Sequence, residues 1–266
     1  MALTAAKRAR LSRNIQYLIL VAVVVLVASL ANWGQIGHAF FNFGFVVEDS
    51  TFLPRLVQAF GNTLLYTALG FILGLAGGVF LALLKLSSVA PYRWISTLYI
   101  EVFRGLPALL VFIAFGYGIP TAFPGLRLDT YVTVMLALGL VSAAYIAETI
   151  RAGLQAVPAG QMEAARSLGM SHSRAMVTIV IPQALRIVLP PLTNEVILLT
   201  KDSSLIYLLG LTASQYELSK FGREALNGTD AGLTPLVVAG VCYLIITVPL
   251  SLLSRRFETK TARIKK

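Results

Sequence analysis

Glu195, Lys201 and Asp202 lie in LPPLTNEVILLTKDSSLIYLLGL, a run that is otherwise apolar. A charge at the centre of a bilayer costs roughly 2.5 to 3.5 kcal/mol, so charges in such a run face a polar cavity or each other. Glu195 and Asp202 are seven residues apart. At about 100° per residue they fall within about 20° of one another on one helix face, two turns apart, while Lys201 points about 100° away. Two carboxylates lining a passage are suited to an ammonium or another organic cation, with the hydroxyls of Thr200, Ser203 and Ser204 supplying hydrogen bonds. A plainer arrangement suits the same residues: Lys201 and Asp202 capping the helix at the membrane interface, and Glu195 paired with a neighbour.

A second polar stretch, Val157 to Pro191, breaks the apolar chain. Pro158 stops the preceding helix, Gln161 to Leu168 are mostly strong helix formers, and Gly169 ends the run, which predicts a helix of about two turns. Met162, Ala165 and Leu168 are spaced to share one face, with Glu163 and Arg166 paired beside it at i, i+3. Such a helix either docks on a partner or lies in the membrane interface. Glu148 with Arg151, and Glu101 with Arg104, have the same spacing near helix ends and read as local pairs and anchors.

Other chemistries find little support. The two histidines, His38 and His172, fall in separate loops on opposite sides of the membrane, so histidine catalysis has no partner set. Cys242 is the only cysteine and lies in an apolar run, which leaves no disulfide framework or cysteine-ligated metal site. No GxxxxGK[ST] phosphate loop occurs. The net charge of +10 comes from basic residues spread over loops and tails, a pattern that orients helices in a bilayer rather than one that binds nucleic acid.

The elements that must hold these residues are membrane helices. Of 266 residues 57% are hydrophobic and 13% charged, about half the charged fraction of a soluble domain. Apolar segments run from Ile15 to Ala31, Phe60 to Leu84, Ile95 to Ile119, Tyr131 to Ile150 and Leu236 to Leu253, with an interrupted one from about Ile179 to Leu211. The first spans about 25 Å and reads as a retained helix; the rival is a cleaved signal peptide ending at Ser29-Leu30-Ala31. Residues 32 to 54 read as an external connection of interfacial character. Gly70, Gly74 and Gly78 at four-residue spacing let a second helix come close. Threading six spans puts all of the 22 Lys and Arg on one side except Arg55, Arg127, Lys201, Lys220 and Arg223. The positive-inside rule makes the richer side cytoplasmic, with both termini and the 157–191 stretch inside.

Glu163-Ala164-Ala165, three residues, Gly169, nine residues and Ile179-Val180-Ile181-Pro182 resemble the EAA-x3-G-x9-I-x-L-P signature of the membrane subunits of binding-protein-dependent ABC importers, with Ile181 in place of Leu. The likeness extends to GNTLLYTALG (61–70), EVFRGLPALLVFIAFGYG (101–118), SAAYIAETIRAGLQAVPAGQ (142–161) and LLTKDSSL (198–205), and covers about Phe52 to Arg256. Together these are similar to the polar amino-acid permeases, those for histidine, glutamine, glutamate and arginine.

The resemblance implies an all-α integral membrane protein with the type I ABC importer fold: a five-helix core at 55–254, an additional N-terminal helix within 1–54, and a basic cytoplasmic tail at 255–266. It implies a coupling helix at about 160–170 that docks in a cleft of an ATPase subunit through Glu163, Ala164, Ala165, Leu168 and Gly169. Glu163 would make the polar contact, the Ala and Leu face would fill the cleft, and Gly169 would set the exit angle. The expected partners are two ABC ATPases, a second permease subunit, identical or a sister, an extracytoplasmic solute-binding protein, membrane lipid and a polar amino acid. ATP and Mg would be used by the ATPase, with no cofactor on this chain and no enzyme activity of its own. A secondary transporter is the alternative, although no internal repeat of its helices is evident.

Overall fold

The computed structural model describes residues 5–126, 128–227 and 230–264. Arg127, Lys265 and Lys266, which enter the orientation argument, lie outside them. The first helix, α1 (Ala5–Leu30), leads to two short ones, α2 (Trp33–Phe40) and α3 (Gly44–Glu48), so the connection at 32–54 is largely helical. The large apolar side chains described between Ile15 and Leu30 are exposed, as a helix surrounded by lipid requires. The connection itself is tied down: Leu233 N–H donates to the Ala39 carbonyl at 2.5 Å, and Asn42 N–H to Thr234 Oγ1 at 2.9 Å.

The long helices are α4 (Phe52–Leu86), α8 (Thr130–Gln155), α11 (Ile181–Asp202) and α13 (Thr234–Ile264). Among the described residues, five stretches are long and apolar enough to cross a membrane: Ser12–Leu30, Phe52–Leu86, Thr130–Gln155, His172–Leu208 and Thr234–Thr259. The sixth expected span, Ile95 to Ile119, is not one straight helix. It is broken into α5 (Ala90–Gly105) and a second limb, α6 (Ala108–Ile113) running through a π-turn at Ala114–Gly118 into α7 (Ile119–Ala122), bent by 102°. The break follows from Gly105-Leu106-Pro107. Proline offers no N–H and disfavours the helical conformation of the residue before it, and Leu106 is extended at φ −86°, ψ 136°.

The segment from Ile179 to Leu211 also differs from expectation. Pro190 and Pro191 do not interrupt it, since α11 runs through both. Its irregular turns lie at the ends: a π-turn at Met176–Val180 just before Pro182, and 3-10 turns at Ser203–Leu208. The basic C-terminal stretch is helical as far as it is described, since α13 continues through Arg255 and Arg256 to Ile264.

The bundle is built on α4 and α8. A Cβ on Gly74 would lie 1.8 Å from Ser142 Oγ, one on Gly70 2.6 Å from Leu138 Cβ, and one on Gly78 2.6 Å from Ile146 Cγ2. Glycine here is a condition of contact, because in lipid helices associate through close packing and interhelical hydrogen bonds rather than through expulsion of water. Against this pair packs a buried cluster of Tyr66, Phe112, Val134, Leu138, Leu199 and Ile206. A second cluster, Phe52, Ala59, Leu218, Phe221, Ala239 and Ile246, joins α4 and α13 to the short helix α12 (Leu218–Glu224).

Glu217 caps α12 and is fully buried. Its carboxylate accepts from Ser219 N–H and Lys220 N–H, both at 2.6 Å, and from the Tyr243 hydroxyl at 2.9 Å. Burial outweighs these bonds and pushes its pKa up from 4.5 to about 6.

Two stability predictions follow from this packing. Gly74→Val should lower the thermal stability of the detergent-purified protein by about 1–3 kcal/mol or more, whereas Gly61→Ala, whose Cβ would meet nothing within 4 Å, should leave it unchanged. Because folded Glu217 keeps its proton to higher pH than the unfolded chain, its contribution to stability is complete below pH 4.5 and lost as pH rises to about 6. The loss is about 2 kcal/mol. Thermal midpoints of wild type and Glu217→Gln across that window should diverge accordingly, with the variant lacking the decline.

Candidate functional site

Two sites emerge, one at an end of the bundle and one inside it. At the end, α9 (Ala159–Ser167) leaves α8 across Pro158 and returns through α10 (His172–Ala175), which Ser171 caps, into α11. His172 therefore belongs to a helix, as does His38 in α2. The exit from α9 is a Schellman turn: Gly169 N–H donates to Arg166 O at 3.0 Å and Met170 N–H to Ala165 O at 3.1 Å. Gly169 has φ +85°, and nothing lies within 4 Å of where its Cβ would stand. Glycine is required there by the backbone alone.

The face expected to present Met162, Ala165 and Leu168 together is divided. Ala165 is buried and Met162 packs with Leu154, Val157, Met176, Val180 and Ala184, in the wedge between the end of α8 and the start of α11. Leu168 is 85% exposed, and Glu163 and Ala164 are exposed beside it. Ala165 therefore belongs to the seat of α9 and not to an outward face. Arg166 does not pair with Glu163 among the described residues; its guanidinium donates to the Met170 carbonyl at 3.1 Å, bracing the turn. The seat is tight, since a Cβ on Gly153 of α8 would come within 2.1 Å of Val188 Cγ2 of α11.

Near the same end, Glu148 of α8 binds Lys85 Nζ of α4 at 2.5 Å and Arg151 at 2.7 Å. Arg151 also donates to Gln155 Oε1 at 2.6 Å. The i, i+3 pair expected from spacing is present, and Lys85 extends it into a clasp between helices. Glu101 and Arg104 do not pair among the described residues. Arg104 instead lies over the Tyr145 ring, 5.6 Å from its centroid.

Inside the bundle, Glu195 and Asp202 line one cavity of about 210 Å³ between α6, α8 and α11. Its wall includes Leu106 and Ala108 from the break in the α5–α6 limb, and Ser142 and Tyr145 from α8. Lys201 is exposed and does not line it. No hydrogen bond or ion pair within the described chain holds either carboxylate side chain, and no basic residue is in the wall. This differs from a reading in which Glu195 is paired with a neighbour.

The three hydroxyls do not join the carboxylates. Thr200 is fully buried, donates to Val196 O at 2.8 Å, and faces a different, apolar recess beside α4 and α13. Ser203 is buried and donates to Thr200 O at 2.8 Å; Ser204 is half-buried outside the cavity wall. A hydroxyl in an apolar helix satisfies itself on the preceding turn, which turns it away from a cavity. Sequence reasoning in turn missed Ser142 and Tyr145, whose types carry no charge signal, and the Leu106-Pro107 break, whose signal was the proline.

The description "binding-protein-dependent transport system inner membrane component" belongs to a family whose sequence profile matches residues 74–263. The probable glutamine ABC transporter permease protein GlnM of Bacillus subtilis (strain 168) is 38% identical over 201 residues, covering 73% of this chain and 90% of that one. The arginine transport system permease protein ArtQ of the same organism is 34% identical, covering 78% and 93%. A solved structure, described as an amino acid ABC transporter with histidines, is similar at TM-score 0.74 and 35% identity over 82% of this chain and 98% of that one. Profile, relatives and fold agree, and the chain is a multi-pass membrane permease, not an enzyme, belonging to the binding-protein-dependent transport system inner membrane component family.

Proposed function

We propose that this chain forms half of the translocation pathway of an ATP-driven importer of polar amino acids, with residues 55–254 as its permease core. The observation that carries the reading is the seat of α9: Ala165 is buried and half-buried Met162 packs against Val157, Val180 and Ala184, between the end of α8 and the start of α11, while Glu163, Ala164 and Leu168 stand outward beyond it. A short helix braced on two spans and offering one acidic and two apolar side chains is suited to a cleft in an ATPase, and can pass a push to the helices lining the cavity. The basic-residue count supports placing α9 and both termini on the cytoplasmic side. One chain supplies one such helix, so the assembly would hold two permeases, two ATPases carrying ATP and Mg, and an extracytoplasmic solute-binding protein.

Glu195 and Asp202 are the groups proposed to meet the substrate. No ion pair within the described residues holds these carboxylates, and they fit the α-ammonium of an amino acid. Permeases similar to this one are named for glutamine and arginine, which agrees with an amino-acid cargo.

Two measurements on the reconstituted complex test these roles. Gly169→Val forces a β-branched residue into left-handed backbone at a cost of about 1–2 kcal/mol, so uptake should fall about tenfold while ATP hydrolysis persists; full transport would show that the turn does not couple. Glu195→Gln and Asp202→Asn should each abolish the stimulation of ATP hydrolysis by substrate, and unchanged stimulation in both would remove these carboxylates from the pathway.

A further inference from the structure

An α-amino acid carries its ammonium and its carboxylate on one carbon, so a cavity that takes up such a molecule has to answer both charges side by side. The cavity between α6, α8 and α11 answers only one. Its wall holds the carboxylates of Glu195 and Asp202 together with uncharged side chains, and no basic residue. With those groups alone it would repel the carboxylate of the molecule whose ammonium it attracts.

Where the missing cation must stand follows from the register of α8 and α11. Gly153 meets Val188 near one end of the pair, and Leu138 and Leu199 share a buried cluster further along, so the two helices run antiparallel. Tyr145 lies about two turns from Gly153 along α8 and Glu195 about two turns from Val188 along α11, which sets them level. Asp202 is two turns, about 10 Å, beyond. A cation stands at the Glu195 level. Arg104, in the last turn of α5, has its guanidinium 5.6 Å from the centroid of the Tyr145 ring, and both Tyr145 and Leu106, just past the end of α5, are in the cavity wall. Apart from that ring, no partner among the described residues holds the Arg104 side chain. The other cations of this region are committed or turned away: Lys85 and Arg151 bind Glu148, and Lys201 is exposed beside Asp202, outside the wall. A charge at the break of a bent span is costly unless a polar group or a cavity meets it. A guanidinium over an aromatic face keeps its N–H edges for another partner, and those edges match the two oxygens of a carboxylate.

We infer that Arg104, seated on Tyr145, binds the α-carboxylate of the transported amino acid while Glu195 binds its ammonium, which lays the side chain toward Asp202. The inference rests on the reading of Glu195 as a substrate-facing group. Arg104 is exposed and does not itself line the cavity, so the carboxylate it meets lies at the rim beside Tyr145. The pairing makes the site selective for the zwitterionic head that all amino acids share. An amine without a carboxylate satisfies Glu195 but leaves Arg104 unanswered, and an acid without an ammonium meets Glu195 as a like charge.

The test measures direct binding to the assembled permease–ATPase complex in detergent. The probes are arginine, glutamine, glutamate and histidine, each as the free amino acid and as its α-carboxamide, which keeps the ammonium and loses the α-carboxylate charge. Wild type is compared with Arg104→Gln, Arg104→Lys, Tyr145→Leu and Glu195→Gln. For the probe that binds best, wild type should prefer the free amino acid to the amide by about tenfold or more, and Arg104→Gln should weaken the free amino acid by about tenfold to a hundredfold while the amide stays within about threefold. Arg104→Lys keeps the charge without the fork and should retain part of the preference. Tyr145→Leu removes the seat and should reduce the preference as Arg104→Gln does. Glu195→Gln should weaken both forms alike. Equal losses for both forms in Arg104→Gln, with the preference intact, make Arg104 an anchor of the bent span and overturn the inference; so does no change in either form. Both outcomes leave the importer reading standing. Should Arg104→Gln fail to assemble, the same ratio in Arg104→Lys and Tyr145→Leu decides. If Glu195→Gln alters neither form, the ammonium partner falls and the inference with it, and if wild type binds none of the four, the amino-acid reading falls and takes the inference along.

Discussion

Contact between α4 and α8 at backbone distance is the constraint on which the other elements rely. A lipid-embedded pair gains nothing from expelling water, so it must gain from proximity, and the glycines at 70, 74 and 78 admit Leu138, Ser142 and Ile146 where any side chain would collide. Once the two axes are fixed, α8 has its remaining surface free for two other tasks. Ala137, Val141 and Tyr145 wall the cavity, and the helix end offers Leu154 and Val157 to the seat of α9. The Lys85–Glu148–Arg151 clasp joins the same two helices again near that end, partly shielded from water, where a charge pair holds better than at an open surface.

Irregular backbone lies at the break in the α5–α6 limb and in the turns at helix ends. The limb beyond Pro107 turns its first residues into the cavity, and the two π-turns each precede a proline, Pro120 or Pro182, whose missing N–H and bulky ring make the ordinary turn impossible. Non-helical backbone at membrane depth is tolerated only where protein or a polar cavity meets it. The broken helix brings Leu106 and Ala108 to the cavity wall.

Much of this was legible in the chain, for identifiable reasons. Seven-residue spacing put Glu195 and Asp202 on one face, and helix periodicity carries over directly from a string of letters to a surface. Gly169 was legible because helix formers followed by glycine have a local solution that needs no tertiary partner. The seat of α9 was not, because a periodic pattern says which residues share a face but not which neighbour that face meets; Ala165 turned inward and Leu168 outward. Hydropathy likewise sums composition over Ile95 to Ile119 without registering direction, so a 102° bend passed as one span. Thr200 and Ser203 were expected beside the carboxylates but lie outside the cavity wall: a polar atom in an apolar run needs a partner, and the nearest is its own backbone. The Lys85 clasp and the Tyr243 bridge lie between residues distant in sequence, which no single-chain spacing encodes.

Leu168 has a meaning beyond docking. At 85% exposure it is an apolar side chain held out at the tip of the Schellman turn, on a helix that is otherwise polar. In the proposed assembly that side chain is covered; in a lone subunit the chain leaves it uncovered. Free and assembled copies of this chain would then differ by one greasy knob at a fixed address, which is the kind of mark by which quality-control machinery tells an orphan subunit from one that has found its place.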